Sequence, residues 1–188
     1  MSENLQHASF WAEMSACEHF VQIYEADGAF LDTLAGFIGG GLKQGDAAVV
    51  IATPAHRLEL DKRLAAMGID VDSATLDDQF MSLDAEELIG KFVVDEWPDE
   101  EKFTQIVRDI LNRAGRNGRR VRAFGEMVAL MWAKGYYAAT VRLEHLWHQR
   151  CEEEAFTLFC AYPKSGFTEN PAESIARVCA THSKVFPH

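Results

Sequence analysis

The sequence predicts an α/β protein, a three-layer sandwich with helices on both faces of a mainly parallel sheet. The first observation is that five short apolar runs, each typical of a strand, end in polar residues just before a helical pattern. The second is that strands and helices alternate along the chain, which favours parallel strands joined by right-handed crossovers. Since open α/β sheets bind ligands at the carboxyl ends of their strands, we expect a site at that edge.

Each predicted strand is followed by side chains suited to binding. The strands are expected at residues 20–23, 47–51, 80–83, 121–124 and 156–160. The polar segments after them are, in chain order, Tyr24-Glu25-Ala26-Asp27, Thr53-Pro54-Ala55-His56, Asp84, Gly125-Glu126 and Tyr162-Pro163. In a parallel sheet these five segments meet at one edge, so the sequence predicts a place for a ligand without naming the ligand.

The predicted helices have recognisable first and last residues. Thr53, Asp84 and Asn170 are suitable N-terminal caps for the helices that follow them. A long helical stretch after the fourth strand is interrupted near Gly135. The helix after the first strand is expected to stop at Gly39-Gly40-Gly41, because glycine is common at helix ends.

Composition and charge exclude several classes of protein. The 188 residues predict one domain over 17–188, preceded by an arm over 1–16, with ordinary fractions of hydrophobic (48%) and charged (25%) residues. A net charge of -11 argues against binding to nucleic acid or to an anionic membrane surface. The chain shows no apolar run of membrane-span length and no signal-peptide core, and its four cysteines form no CxxC pair. We therefore expect a cytoplasmic protein with free thiols.

The order and spacing of several short segments resemble one known family. The segments are Cys17-x-His19-x-x-x-x-Tyr24-Glu25, Gly41-x-x-x-Gly45-Asp46, Ala52-Thr53-x-x-His56, Phe124-Gly125-Glu126-Met127-Val128, Leu143-Glu144-x-x-Trp147 and Cys160-Ala161-Tyr162-Pro163. Together they resemble the MEDS domain, the sensory domain of methanogen and methylotroph regulators of the DcmR type. The resemblance extends from about Cys17 to Pro187.

This resemblance implies a RecA- or KaiC-like core that is used for sensing. In such proteins the domain is often joined to a DNA-binding module or to a histidine kinase, and the 188 residues contain neither. We therefore expect a stand-alone sensor or adaptor that acts through a protein partner such as a histidine kinase or a transcriptional regulator. The sequence leaves a homodimer open.

The loop after the first strand argues against nucleotide binding. A P-loop has the pattern G-x-x-x-x-G-K-[ST], in which backbone amides and a lysine hold phosphate oxygens. Residues 25–30 instead read Glu-Ala-Asp-Gly-Ala-Phe, with two carboxylates and no lysine. Like charges about 4 Å apart repel by several kcal/mol at an effective dielectric of about 20, so we expect a degenerate P-loop that does not bind ATP.

Six side chains are the candidates for binding a small ligand. They are His19, Tyr24, Glu25, Glu126, Glu144 and Tyr162. Each also has a purely structural interpretation, because a half-buried histidine, a core aromatic ring or a paired carboxylate occurs in many proteins. Glu126 in particular is expected either to bind a polar ligand group or to pair with Arg122 or Arg142.

Two other residues in these segments are not expected to bind the ligand. His56, in the first turn of its helix, is expected to face solvent rather than a ligand, because a helix N-terminus disfavours an imidazolium. Trp147 is expected in the core because it lies on the apolar stripe of its helix.

Metal, thiol and hydrolase chemistry find little support in the sequence. The segments Cys17-x-His19, His148-x-x-Cys151 and Cys179-x-x-His182 are each incomplete pairs, whereas a structural zinc site needs four ligands. Cys160 is interpreted as a small buried hydrophobe. No G-x-S-x-G nucleophile elbow is present. We therefore predict no metal and no cofactor.

One basic segment is a candidate for docking a partner. The turn before the fourth strand carries several arginines, of which Arg116, Arg119 and Arg120 are the candidates for contacting an acidic protein. The alternative is a solvated face with no partner.

Three functions follow from these observations. The preferred hypothesis is a non-enzymatic sensory domain that binds a small molecule, apolar or derived from a one-carbon compound, and passes the signal to a protein partner. The second is a ligand-free scaffold that docks a kinase or a regulator. The third is a divergent nucleotide hydrolase or another hydrolase with Glu126 as its base.

Overall fold

The structure is a computed structural model that describes residues 18–186. The predicted arm over 1–16 and Cys17 lie outside the described residues. Within them, six strands form one parallel sheet, two short strands form a hairpin, and helices cover both faces of the sheet. The predicted α/β sandwich with a mainly parallel sheet is thus confirmed. No helix in this part of the chain is long and apolar enough to cross a membrane.

Strands and helices alternate as the sequence predicts. The strands are β1 (His19–Tyr24), β2 (Ala47–Ala52), β3 (Phe80–Asp84), β4 (Val93–Val94), β5 (Trp97–Pro98), β6 (Val121–Gly125), β7 (Thr157–Pro163) and β8 (Lys184–Val185). The helices are α1 (Asp27–Lys43), α2 (Pro54–Ala66), α3 (Val71–Leu76), α4 (Ala85–Phe92), α5 (Glu100–Ala114), α6 (Met127–Ala133), α7 (Tyr137–Glu154) and α8 (Pro171–Ala180).

The strand order decides which loops become neighbours. The sheet runs β3-β2-β6-β7-β1-β8, and every pairing between adjacent strands is parallel. The loops after β2 and β6 therefore lie side by side, as do the loops after β7 and β1. The strand β8, which the sequence did not predict, adds a two-residue edge beside β1.

Successive residues of β1 point into two different halves of the core. Phe20 and Tyr24 pack with α1 and α2 on one face, whereas Val21 and Ile23 pack with α7 on the other. This alternation follows from the two-residue period of a strand, which sends consecutive side chains to opposite faces of the sheet. Both faces are buried, so the strand is apolar almost throughout.

The three consecutive glycines lie inside α1 and do not end it, so this prediction is wrong. The helix continues to Lys43 and is followed by Gly45, which has the positive φ of 84° typical of a turn. A Cβ atom at Gly41 would lie 2.6 Å from Cδ of Arg122, too close for any other residue type without movement. Gly41 is therefore needed for close packing against Arg122 of the sheet, whereas a Cβ atom at Gly40 would meet nothing within 4 Å.

Several local sequence signals are confirmed, although Asn170, which precedes α8 as predicted, makes no capping hydrogen bond through its side chain. The side chains of Thr53 and Asp84 accept hydrogen bonds from backbone amides of the first turns of α2 and α4. The predicted long helical stretch is divided at Gly135, which has φ of 83° and separates α6 from α7. Trp147 is buried in the core, as predicted.

Candidate functional site

Glu126 lies at the carboxyl edge of the sheet, directly after β6. Its carboxylate accepts a hydrogen bond from the backbone amide of Thr53 (2.9 Å), and its Oε1 lies 2.8 Å from Nδ1 of His56. Both partners follow β2, the neighbour of β6, so the strand order produces this contact. The carboxylate is largely buried, yet a histidine and a backbone amide partly replace the hydration that it loses on burial.

The arginine partners predicted for Glu126 are wrong. Arg122 is buried within β6 and donates to Asp46 Oδ2 (2.9 Å) and to Gln44 Oε1 (3.0 Å). Arg142 pairs with Glu100 instead, at 2.5 Å. Arg122 is the second residue of β6 and lies near the amino end of that strand, whereas Glu126 follows its carboxyl end.

His56 is less exposed than the sequence predicts, and it joins two acidic groups. Its side chain is 15% exposed, and its Nε2 lies 3.8 Å from Oδ2 of Asp27 at the start of α1. The hydrogen bond with Glu126 raises the pKa of His56 above its usual value against the opposing effect of burial. His56 is therefore the polar centre of this edge rather than a solvent-facing residue.

Tyr24 completes the surroundings of Glu126. Its ring stacks on Phe30 with centroids 4.6 Å apart, and burial together with the nearby charges of Glu126 and Asp27 raises the pKa of the Tyr24 hydroxyl. Within residues 18–186 this hydroxyl makes no hydrogen bond. We call Glu126, His56, Asp27 and Tyr24 the Glu126 site.

Glu25 is separate from this site. Its side chain is 71% exposed and pairs with Lys164, which follows β7, at 2.5 Å. The pairing agrees with the neighbouring positions of β1 and β7, whose loops meet at the same edge. Glu25 therefore lies at the exposed border of the carboxyl edge. It follows Tyr24 in the sequence, but its side chain does not belong to the Glu126 site.

Three other predicted ligand residues meet in the interior, on the face of the sheet covered by α7. The hydroxyl of Tyr162, on β7, donates to Oε1 of Glu144, on α7, over 2.5 Å. Oε2 of the same carboxylate lies 3.5 Å from Nε2 of His19, the first residue of β1. The six candidates, predicted to bind one ligand at the carboxyl edge, are thus divided between this interior cluster and the edge.

Two further residues belong to the interior cluster. Nε2 of His182, in the segment between α8 and β8, lies 3.4 Å from Oε2 of Glu144. Sγ of Cys160, on β7, lies 3.3 Å from Nε2 of His19 and 3.9 Å from Oε2 of Glu144. We call His19, Glu144, Cys160 and His182 the His19 cluster, whose possible ligand atoms all lie within 4.8 Å of one another.

Burial and nearby charges shift the pKa values of three members of the His19 cluster. Burial and then the proximity of His182 lower the pKa of His19 to about 3, so its imidazole is neutral. Burial by itself raises the pKa of Glu144, but His182 and the Tyr162 hydrogen bond outweigh it and lower that pKa to about 2. Burial and the nearby Glu144 charge raise the pKa of the Cys160 thiol well above its ordinary value.

Sequence reasoning missed the roles of Cys160 and His182. The only available signals were the incomplete pair Cys179-x-x-His182 and a cysteine within an apolar strand, and neither indicates a partner far away in the chain. No short pattern connects residues at positions 19, 144, 160 and 182, because they come from three different elements and from the segment between α8 and β8.

The predicted partner-binding arginines surround a turn at the opposite, amino-terminal edge of the sheet. Arg116 pairs with Asp78 (3.5 Å), Arg120 pairs with Asp46 (2.9 Å), and Arg119 pairs with Asp77. The side chains of Arg116 and Arg120 remain about two-thirds exposed, at 66% and 70%. These ion pairs reduce the positive charge of the segment, but they leave two guanidinium groups at the surface.

Two open pockets lie elsewhere on the surface. One, of about 180 Å³, is lined by Trp132, Tyr137, Glu169, Asn170, Glu173, Ser174 and Arg177. The other, of about 320 Å³, includes Arg119 and Arg120 at the amino edge. Neither contains a predicted ligand residue, so the Glu126 site is located by side-chain contacts rather than by a deep cavity.

Comparison with known proteins agrees with the resemblance seen in the sequence. The family model described as MEDS, MEthanogen/methylotroph, DcmR Sensory domain, matches residues 18–183. The comparison with curated proteins finds no match. A solved structure of a protein from Pyrococcus horikoshii OT3 is similar over 95% of this chain and 85% of that chain, with a TM-score of 0.62 and 11% sequence identity. At that identity the likeness shows a shared fold alone.

Proposed function

The chain belongs to the MEDS family, and from that premise we propose that it is a cytoplasmic, non-enzymatic sensory domain that binds a small molecule at the Glu126 site. The observation that carries this proposal is the buried carboxylate of Glu126, held at the carboxyl edge by an amide and an imidazole. Open α/β sheets bind ligands at this edge, and a largely buried polar group there is a candidate for ligand contact.

The charges of the site select the chemistry of the ligand. Asp27 and Glu126 make the site acidic, which disfavours carboxylates and phosphates because like charges repel. The hydroxyl of Tyr24 and the carboxylate of Glu126 suit a hydrogen-bonding group, and the ring of Phe30 suits an apolar body. The ligand is therefore a small neutral or cationic organic molecule, such as an alcohol, an amine or another one-carbon derivative.

The proposal includes a RecA- or KaiC-like core with a degenerate P-loop. The sequence after β1 supports it, since it holds Glu25 and, as the first residue of α1, Asp27, and it lacks the lysine that would bind a phosphate. In this proposal the acidic Glu126 site occupies the edge where a nucleotide would otherwise bind.

The signal passes to a protein partner in this proposal. Ligand binding shifts the loops after β1, β2 and β6, and the exposed guanidinium groups of Arg116 and Arg120 at the other edge contact an acidic surface of the partner. A ligand-free scaffold would bind the same partner without any dependence on the Glu126 site.

A thermal-shift screen of the purified protein tests ligand binding. The panel contains alcohols, aldehydes, amines, halogenated methanes, organic acids, and nucleotides with magnesium. A ligand at 100 times its dissociation constant stabilises the folded state by about 2.7 kcal/mol, which is readily measured. We expect a neutral or cationic organic molecule to raise the melting temperature and a nucleotide to have no effect.

Two variants locate the binding site of any hit. Glu126→Gln should weaken binding of the hit at least about 10-fold, because it removes the charge that accepts hydrogen bonds from the ligand. The matched control Glu101→Gln, at an exposed position of α5, should bind as tightly as the original protein. Equal affinity in Glu126→Gln would reject the site, and stabilisation by a nucleotide would favour the nucleotide hydrolase instead.

A further inference from the structure

The His19 cluster combines the donor atoms that a transition metal prefers. It offers two imidazole nitrogens, one thiol sulfur and one carboxylate oxygen, which come from β1, β7, α7 and the segment between α8 and β8. Zinc in proteins is bound by these three donor types, usually four at a time and in a tetrahedral arrangement. Magnesium and calcium prefer oxygen ligands, so the donor set selects against them.

The distances between the donor atoms agree with a tetrahedron around a zinc ion. Metal–ligand lengths of about 2.0–2.3 Å place tetrahedral ligands about 3.3–3.6 Å apart. The Nε2 atoms of His19 and His182 lie 3.5 and 3.4 Å from Oε2 of Glu144. Nε2 of His19 lies 3.3 Å from Sγ of Cys160. Sγ of Cys160 lies 3.9 Å from Oε2 of Glu144, and all four donor atoms lie within 4.8 Å of one another. Three of the distances thus already match a tetrahedral site, and a small contraction of the cluster would complete it.

The hydrogen bonds of His182 direct its Nε2 into the cluster. Its Nδ1 lies 2.8 Å from the carbonyl oxygen of Val178, which can only accept, so Nδ1 carries a proton. Nε2, the other ring nitrogen, faces the carboxylate of Glu144 at 3.4 Å, and this buried atom has no hydrogen-bond partner among the described residues. A metal-bound histidine typically donates its other N–H to a backbone carbonyl, and His182 has this arrangement.

The buried charge of Glu144 also calls for a cation. Its side chain is 1% exposed, and within residues 18–186 its ion-pair partners are the two histidines. A buried carboxylate without a compensating charge is costly, and the hydroxyl of Tyr162 supplies only one hydrogen bond. A divalent metal with one carboxylate and one thiolate would make the cluster neutral. In addition, Tyr162 would orient the carboxylate as an outer partner.

We propose that the four side chains of the His19 cluster bind one divalent transition-metal ion, with zinc as the favoured metal. The site is distinct from the Glu126 site, which lies at the carboxyl edge and contains no thiol. Sequence reasoning predicts no metal here because the four ligands never form a local motif.

The metal would fasten the C-terminal segment to the sheet. Ser183, next to His182, donates from its backbone amide to the carbonyl oxygen of His19 (2.9 Å), and the amide of His19 donates to Oγ of Ser183 (2.8 Å). A metal shared by His19 and His182 adds a bond at this contact. The segment after α8, including the two-residue strand β8, would therefore be held less firmly without the ion.

Cobalt titration of the chelator-treated full chain tests the site, because tetrahedral cobalt(II) is coloured and a bound thiolate adds a charge-transfer band. We expect about one equivalent of cobalt to bind with tetrahedral visible bands and a thiolate band, and zinc to displace it. Weak binding with octahedral bands, or no binding, would overturn the proposal and leave a network of hydrogen bonds around Glu144.

Single substitutions separate this site from adventitious binding. Cys160→Ser should lose the thiolate band, and His182→Gln should bind cobalt at least about 10-fold more weakly. The matched controls are Cys179→Ser, on α8, and His145→Gln, on the exposed face of α7, and both should titrate like the original protein. A thiolate band that persists in Cys160→Ser would show that another cysteine binds the ion and would reject these ligands.

Limited proteolysis gives a readout that does not require a variant to fold. With zinc present, the segment around His182 should resist cleavage, and after chelation it should be cut first. Identical cleavage patterns with and without zinc would overturn the proposal that the ion holds the C-terminal segment to the sheet.

Discussion

The two buried carboxylates of this protein, Glu126 and Glu144, differ in how their charge is compensated. Glu126 follows a strand at the edge of the sheet, where a backbone amide and a partly exposed histidine reach it. Glu144 lies on a helix in the interior, where the groups around it are two fully buried histidines, a thiol and a phenol. An edge carboxylate can exchange partners with solvent or a ligand, whereas an interior one depends on a fixed set of neighbours.

The largest expected effect is on the free energy of unfolding, which should differ between variants of the two carboxylates. Glu144→Gln should lower the free energy of unfolding by about 3 kcal/mol, because it removes one member of a buried charged cluster. Glu126→Gln should lower it by about 1 kcal/mol, because the Gln oxygen can still accept from the Thr53 amide. Urea unfolding followed by circular dichroism measures both. Equal losses would show that the two environments do not differ in energy.

The second prediction compares the two tyrosines beside these carboxylates. Tyr162→Phe should lower the free energy of unfolding by about 2 kcal/mol, because it removes a short buried hydrogen bond to an ionised group. Tyr24→Phe is the matched control and should change it by less than about 0.5 kcal/mol, since the Tyr24 hydroxyl makes no hydrogen bond within the described residues. Denaturant unfolding of both variants checks this. A larger loss in Tyr24→Phe would contradict the structure.

The smallest expected effect is a pH-dependent difference in the free energy of unfolding, and it tests the Glu126 site alone. The hydrogen bond with Glu126 raises the pKa of folded His56, so the protonated form contributes stability that is fully present below the unfolded pKa of about 6.5. This contribution is lost as the pH rises through the folded pKa. His56→Gln should therefore be less stable than the original protein by about 1 kcal/mol at pH 5.5.

The pH dependence of that difference is the decisive measurement. Thermal unfolding of His56→Gln and of the original protein is compared between about pH 5 and pH 9, and the gap between them should narrow above about pH 6.5. His145→Gln, at an exposed position, should show no such trend. A stability difference between the two proteins that stays constant over the whole pH range would mean that His56 is not protonated in its contact with Glu126.

Elements with strong local signals could be predicted, and those without them could not. The strands around Val49 and Phe124, and the caps at Thr53 and Asp84, follow from apolar runs and from side chains that bind nearby amides. The helix α3, the hairpin of β4 and β5, and the strand β8 were missed because each spans only two to six residues. Periodicity needs a longer window than that.

The wrong predictions arose where tertiary contacts override local preference. Gly39-Gly40-Gly41 would end many helices, but here the helix continues, and Gly41 lets Arg122, which pairs with Asp46, approach α1 closely. His56 was expected in solvent from its place at a helix start, yet Glu126 on the adjacent loop draws it inward. In both cases a buried charge far away in sequence decided the outcome.

The sequence by itself determined the alternation of strands and helices, the parallel sheet, the helix caps and the polar segments that follow the strands. These features depend on contacts between residues a few positions apart, which a local pattern records. Only the tertiary structure decided that β7 lies between β6 and β1, that Glu126 meets His56, and that His19 meets His182. The contacts of Glu126 with His56 and of His19 with His182 join residues 70 or more positions apart, and the strand order and the return of the C-terminal segment to β1 bring them together.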